Sequence, residues 1–123
     1  MEEKNNMTAD EYRKMALGFP KSSEDSHMDH PDFRVKGKIF ATLGPEEEWG
    51  ALKLTPEQQE FLIRAEPRSF KPANGAWGKR GYTIVTLAEA NEPDVRHALT
   101  EAWRNTAPKL LVKQFDEKNL FGI

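Results

Sequence analysis

Histidine offers the widest chemistry in this 123-residue chain, and there are three of them. His27 and His30 fall within Glu24-Asp25-Ser26-His27-Met28-Asp29-His30-Pro31-Asp32, a stretch dense in imidazole and carboxylate. Such donors suit borderline and hard divalent cations. The spacing is not that of a zinc-protease helix, because no Glu directly follows His27. Lys21 to Pro31 reads as polar loop, so the plainer expectation is a turn in which His30 packs beside Pro31 and bonds a backbone carbonyl. His97 has Asp94 three residues before it and Glu101 four after, which on a helix gives an exposed ion-pair ladder. Cysteine is absent, which excludes disulfides, thiolate zinc sites, iron–sulfur clusters and a cysteine nucleophile. Glu46, Glu47 and Glu48 are consecutive and spread apart as a solvated turn, so they do not converge for acid–base work. No Gly-x-Ser-x-Gly elbow occurs, and the serine beside a histidine is Ser26. These residues predict no catalytic site, no resident metal and no cofactor.

Gly75-Ala76-Trp77-Gly78-Lys79-Arg80-Gly81 spaces three glycines three apart around two cations and an indole. Phosphate-cradling loops place such glycines between a strand and a following helix. Here the loop leads into a strand, which argues against nucleotide binding. The Gly-x-x-Gly of a KH domain joins two helices, and this one does not. Two readings remain: a structural turn with Trp77 packed on the body, or a basic hairpin tip.

Charge favours the tip. The chain carries 18 Lys+Arg against 20 Asp+Glu, net −2. From Arg64 to Gly81 the basic residues Arg64, Arg68, Lys71, Lys79 and Arg80 face only Glu66. Arg34, Lys36 and Lys38 face Asp32. Acids collect in residues 1–30, 44–60 and 88–101. A mildly acidic chain can still present one positive face. The candidate nucleic-acid contacts are therefore Arg34, Lys36, Lys38, Lys71, Trp77, Lys79 and Arg80, with Trp77 and Tyr82 available to stack.

The elements that must position them follow from pattern. Residues 1–7 are polar and unpatterned, a frayed lead-in. Thr8 and Glu11 form a capping box, and Tyr12, Met15, Ala16 and Phe19 share one helical face. Period-two alternation around Lys36-Gly37 predicts a β-hairpin. Ala51 to Leu54 is a third strand. Thr55-Pro56-Glu57-Gln58 opens a second helix. Ser69 to Pro72 is a short edge strand and Gly81 to Leu87 a strong one. Asn91 caps a last helix that carries Val95, Ala98, Leu99, Ala102 and Trp103. The tail, residues 112–123, with Phe115 and Phe121, either docks or frays. The order α-β-β-β-α-β-β-α predicts a two-layer α+β domain over residues 8–111, an antiparallel sheet with helices packed on it. No apolar run approaches the ~20 residues of a membrane span, and no secretory h-region opens the chain. A cytoplasmic protein with no membrane partner is expected.

His30-Pro31-Asp32-Phe33-Arg34-Val35, Lys38-Ile39-Phe40-Ala41-Thr42-Leu43, Leu52-Lys53-Leu54, Ala76-Trp77-Gly78, Ala102-Trp103 and Ala107-Pro108-Lys109 together resemble the MmcQ/YjbR-like family, from about Met7 to Leu111. The resemblance implies a secretion-chaperone-like α+β fold and, by analogy with double-wing proteins, DNA binding through basic hairpins. The expected partner is double-stranded DNA. The alternative is another protein, met by a chaperone-like module with no nucleic-acid role. The family brings no catalytic residues to carry over.

Overall fold

The computed structural model describes residues 6–120, the side chain of Leu120 excepted. The first helix, α1 (Ala9–Leu17), starts on the expected box. Thr8 Oγ1 accepts from the Glu11 amide at 3.1 Å, and the Glu11 carboxylate accepts from the Thr8 amide at 2.9 Å. The last residue of the lead-in is held, where its composition suggests fraying. Met7 is buried and its amide donates to the Leu87 carbonyl at 2.8 Å; residues 1–5 lie outside the described residues. There follow β1 (Ser22–His27), β2 (His30–Val35), β3 (Lys38–Leu43), β4 (Trp49–Lys53), α2 (Pro56–Ala65), β5 (Phe70–Pro72), α3 (Gly75–Lys79) and β6 (Tyr82–Thr86). A 3-10 turn at Leu87–Glu89, α4 (Glu92–Thr106) and α5 (Lys109–Leu120) complete the described chain.

The strands form one sheet in the order β1-β2-β3-β4-β6-β5, antiparallel throughout. This is the α+β architecture expected, with three elements added. The polar stretch after α1 is not a loop. It is β1, closed onto β2 by a two-residue turn at Met28-Asp29. An edge strand pairs on one side only, so β1 forms without an apolar face. Its helix-side Glu24 is held by Arg13 of α1 at 3.0 Å. The glycine-rich segment coils into α3, and the tail becomes α5.

Register sorts the side chains. Phe33, Ala41, Leu52 and Thr83 are successive cross-strand partners, as are Leu43, Gly50, Val85 and Phe70. All are buried on the helical side. A bulge at Phe33/Arg34 breaks the alternation expected in β3, so Phe40 and Ala41 are both buried. Tyr12 of α1 lies beneath Gly50, where an added Cβ would come within 2.6 Å of the phenol. Trp103 of α4 is fully buried, donates its indole N–H to the Pro20 carbonyl at 3.1 Å and stacks on Phe19. Phe115 of α5 packs 4.9 Å from the Trp103 ring, and Arg104 pairs with Asp116. The tail is thus docked, and the boundary expected after Leu111 falls inside a helix. Phe121 lies outside the described residues.

The described helices leave the second sheet face uncovered. It carries Asp32, Arg34, Ile39, Thr42, Trp49, Ala51, Lys53, Lys71, Tyr82, Ile84 and Thr86, the cross-strand partners of one another. No described helix is long and apolar enough to cross a membrane.

Candidate nucleic-acid interface

Antiparallel pairing gives the sheet two distinct ends. The β2–β3 turn, the end of β4 at Lys53 and the start of β6 at Tyr82 share one end, since Lys53 is the register partner of Tyr82. Asn105 Nδ2 donates to the Lys53 carbonyl at 3.0 Å, so α4 also finishes there. The β1–β2 turn, the β3–β4 loop and the end of β6 share the other end.

Charge divides along the same line. The first end holds Lys36 and Lys38 at the β2–β3 turn, Lys53 on β4, and Lys79 and Arg80 just before β6. None of these makes an ion pair among the described residues. Glu57 and Glu101 approach this end from the helical side, the latter accepting a hydrogen bond from Gln58. The opposite end holds Asp25, Asp29, Glu46, Glu47, Glu48 and Glu89, together with the first turns of α1 and α4. Its cation Arg13 is shared among Asp10, Glu24 and Glu47; Arg68 also lies there, exposed.

The two expected basic tips therefore emerge on the same end. β3 and β6 are two strand spacings apart, about 10 Å, with Lys53 between them. The first tip is a true ribbon. Lys36 and Gly37 both have positive φ, 52° and 81°, the backbone of a tight hairpin turn. The second is not a ribbon. It is the single helical turn α3, because its glycines serve local packing: Gly78 presses on the Ala73 carbonyl, where a Cβ would sit 2.0 Å from the oxygen, and Gly81 (φ 111°) abuts the Leu54 carbonyl. Gln59 of α2 clamps the turn, donating to the carbonyls of Gly78 at 3.1 Å and Tyr82 at 3.0 Å. Trp77 is not packed on the body. It is 57% exposed, meets Tyr82 edge to face at 5.1 Å, and has the Arg80 guanidinium 5.4 Å from its ring centroid.

Two expected contacts are placed elsewhere. Arg34 is mid-strand, and its Nε and Nη2 donate to the two oxygens of Asp32 at 2.8 and 3.0 Å. Its charge is already matched inside the fold. Lys71 sits on edge strand β5 opposite Ile84, exposed on the uncovered face and away from the sheet end. Lys53 is a cation that sequence reading passed over. Its signal is the β4–β6 register, which a strand pattern alone does not reveal.

The histidine segment has a structural explanation. His27 Nδ1 lies 2.7 Å from Asp32 Oδ2, and the His27 and His30 rings stack at 5.8 Å. His30 meets Trp49 edge-on at 6.3 Å. Burial pushes the Asp32 carboxyl up. The hydrogen bonds from Arg34 and His27, with their charges, outweigh it and hold the group below the usual carboxylate range. Among the described residues no group of three or more His, Asp or Glu could hold a metal ion. Among the described residues His97 makes no ion pair of the expected ladder: it lies against Phe61, and Glu101 is turned to Gln58.

A family model for YjbR matches residues 17–105, most of the chain. The chain belongs to the YjbR family. The matched span runs from the end of α1 to the end of α4 and so contains the whole sheet and both basic tips, but not α5. A similar solved structure is the crystal structure of Deinococcus radiodurans protein DR2400, with a DUF419 domain. It shares 24% identity over 80% of this chain and 78% of that one, with a TM-score of 0.67. At that identity the likeness speaks to fold alone. No curated protein matches the chain.

Proposed function

We propose that this YjbR-family chain is a non-enzymatic nucleic-acid-binding module whose basic sheet end meets the phosphate backbone. The observation that carries the reading is the segregation of charge between the two ends of one sheet. Lys36 and Lys38 stand on the ribbon, Lys79 and Arg80 on the helical turn, and Lys53 between them. Phosphate binding depends on cations that displace counterions locally, so unpaired lysines gathered at one end count for more than a net charge of −2. The acidic end repels a polyanion and orients the approach. Arg34 and Lys71, grouped with these residues on sequence grounds, are left out.

The test is binding of a labelled oligonucleotide, followed by anisotropy at several salt concentrations. Lys36→Glu/Lys38→Glu and Lys79→Glu/Arg80→Glu are each expected to weaken binding by about tenfold or more. Glu46→Gln/Glu48→Gln, at the other end, is expected not to weaken it. Equal affinity in all three variants would refute the assignment. The competing reading is a protein-interaction module. It draws on the uncovered sheet face, where Ile39, Ala51 and Ile84 are partly exposed. It predicts a protein ligand and no salt-dependent nucleic-acid binding.

A further inference from the structure

We infer that the ligand of the basic end carries unpaired bases: it is single-stranded nucleic acid, with one base stacked at Trp77 and the strand led over Tyr82 and Lys53 onto the uncovered sheet face. The inference rests on the phosphate-contact reading above and adds what lies between the phosphates.

Trp77 is the starting point. Trp103, Tyr12, Phe33, Phe40 and Phe70 are fully buried. Phe61 is exposed but lies against His97 on the helical side. Trp77 alone among these rings is exposed between cations. Its backbone is also fixed. Gln59 bonds the carbonyls on either side of Arg80, and Gly78 and Gly81 are packed too closely to accept a side chain. A ring held this way stacks without first being ordered, so less of the stacking energy is spent on immobilisation.

The surroundings extend the platform. Arg80 lays a planar guanidinium over the indole, and such a plane stacks on bases as an aromatic ring does. Tyr82 meets Trp77 edge to face and points to the uncovered side, directly opposite Lys53. Two residues further along β6, Ile84 has Ala51 on one side and Lys71 on the other. Low side chains flanked by a cation leave room for a second base and its phosphate. Lys71 thereby gains a role that the sheet-end contacts did not give it.

A duplex cannot use these rings. Its base faces are buried in their own stack, and it offers phosphates and base edges only. An unpaired base presents its face, and stacking on an aromatic side chain tolerates any sequence.

The experiment compares a labelled oligo-dT strand with a duplex carrying the same number of phosphates, at one fixed salt concentration. The single strand is expected to bind about tenfold or more tighter. Trp77→Ala should remove that preference and Trp77→Phe should keep much of it. Both variants should retain the wild-type circular dichroism spectrum and salt dependence. Duplex binding equal to or tighter than the single strand, still lost in Lys79→Glu/Arg80→Glu, overturns this inference and leaves the phosphate-contact reading standing. A single-strand preference that survives Trp77→Ala also overturns it. Binding of neither probe overturns both.

Discussion

The turns at Met28-Asp29 and Lys36-Gly37 have the same backbone and opposite surroundings. Each places two successive residues at positive φ, 48° and 65° in the first, 52° and 81° in the second. Each closes a two-residue hairpin on strand β2. Beside the first, the strand charges satisfy one another although the turn's own Asp29 is exposed: Asp32 is fully buried and held by Arg34 and His27, while Arg34 also reaches Asp25 at 3.9 Å. At the second, Lys36 and Lys38 find no acid among the described residues. Hairpin geometry therefore does not mark a contact surface. The mark is charge that the fold leaves unmatched, because a matched pair has little left to offer a ligand.

The largest expected effect comes from removing the platform both hairpins share. Trp103→Ala should destabilise the protein by about 3–5 kcal/mol in urea unfolding. It should loosen both sheet ends together, since the ring joins α4 to Phe19 of the α1–β1 connection and to Phe115 of α5. A loss below about 1 kcal/mol would mean that the ring is not the keystone its burial implies.

Next comes the internally matched hairpin. Asp32→Asn should cost about 1–3 kcal/mol at neutral pH, because charge-assisted hydrogen bonds are lost at a buried site. The folded Asp32 carboxyl titrates below its unfolded value. Its stabilising contribution is therefore present above the ordinary carboxylate pKa of ~3.9 and is lost as pH falls through the lower folded value. The variant should show a flatter decline of stability on the acid side. An unchanged acid limb would show that another group governs it.

The smallest stability effect belongs to the other hairpin. Lys36→Glu/Lys38→Glu should move the urea midpoint by no more than about 0.5 kcal/mol equivalent, since neither lysine supports the fold. A larger change would mean that the turn is structural and would blur the contrast between the two hairpins.

Much of the fold was legible in the chain. Thr55-Pro56-Glu57-Gln58 and Asn91 start helices where their side chains predict, and Lys36-Gly37 turns where its neighbours alternate. Strand β1 was not legible. Ser-Ser-Glu-Asp-Ser-His has no apolar face, and an edge strand needs none when an arginine on the facing helix meets its inward carboxylate. α3 was hidden by glycines that discourage helix: Gly78 is needed where the turn touches Ala73, and Gly81, just after it, where the chain touches Leu54. At the site, the types of Lys36, Lys38, Trp77, Lys79 and Arg80 were readable, and their common location at one sheet end was not. That location depends on β4 inserting between β3 and β6, a long-range pairing. Arg34 could have been set aside from sequence: Asp32 is two residues back on the same strand and so shares its face.

The most direct measurement is the slope of log binding constant against log salt for wild type and for Lys36→Ala/Lys38→Ala/Lys79→Ala/Arg80→Ala. If both tips touch phosphate, affinity falls steeply with salt in the wild type, and the slope in the fourfold variant is shallower by about three. Identical slopes, or no salt-dependent binding at all, would contradict the account.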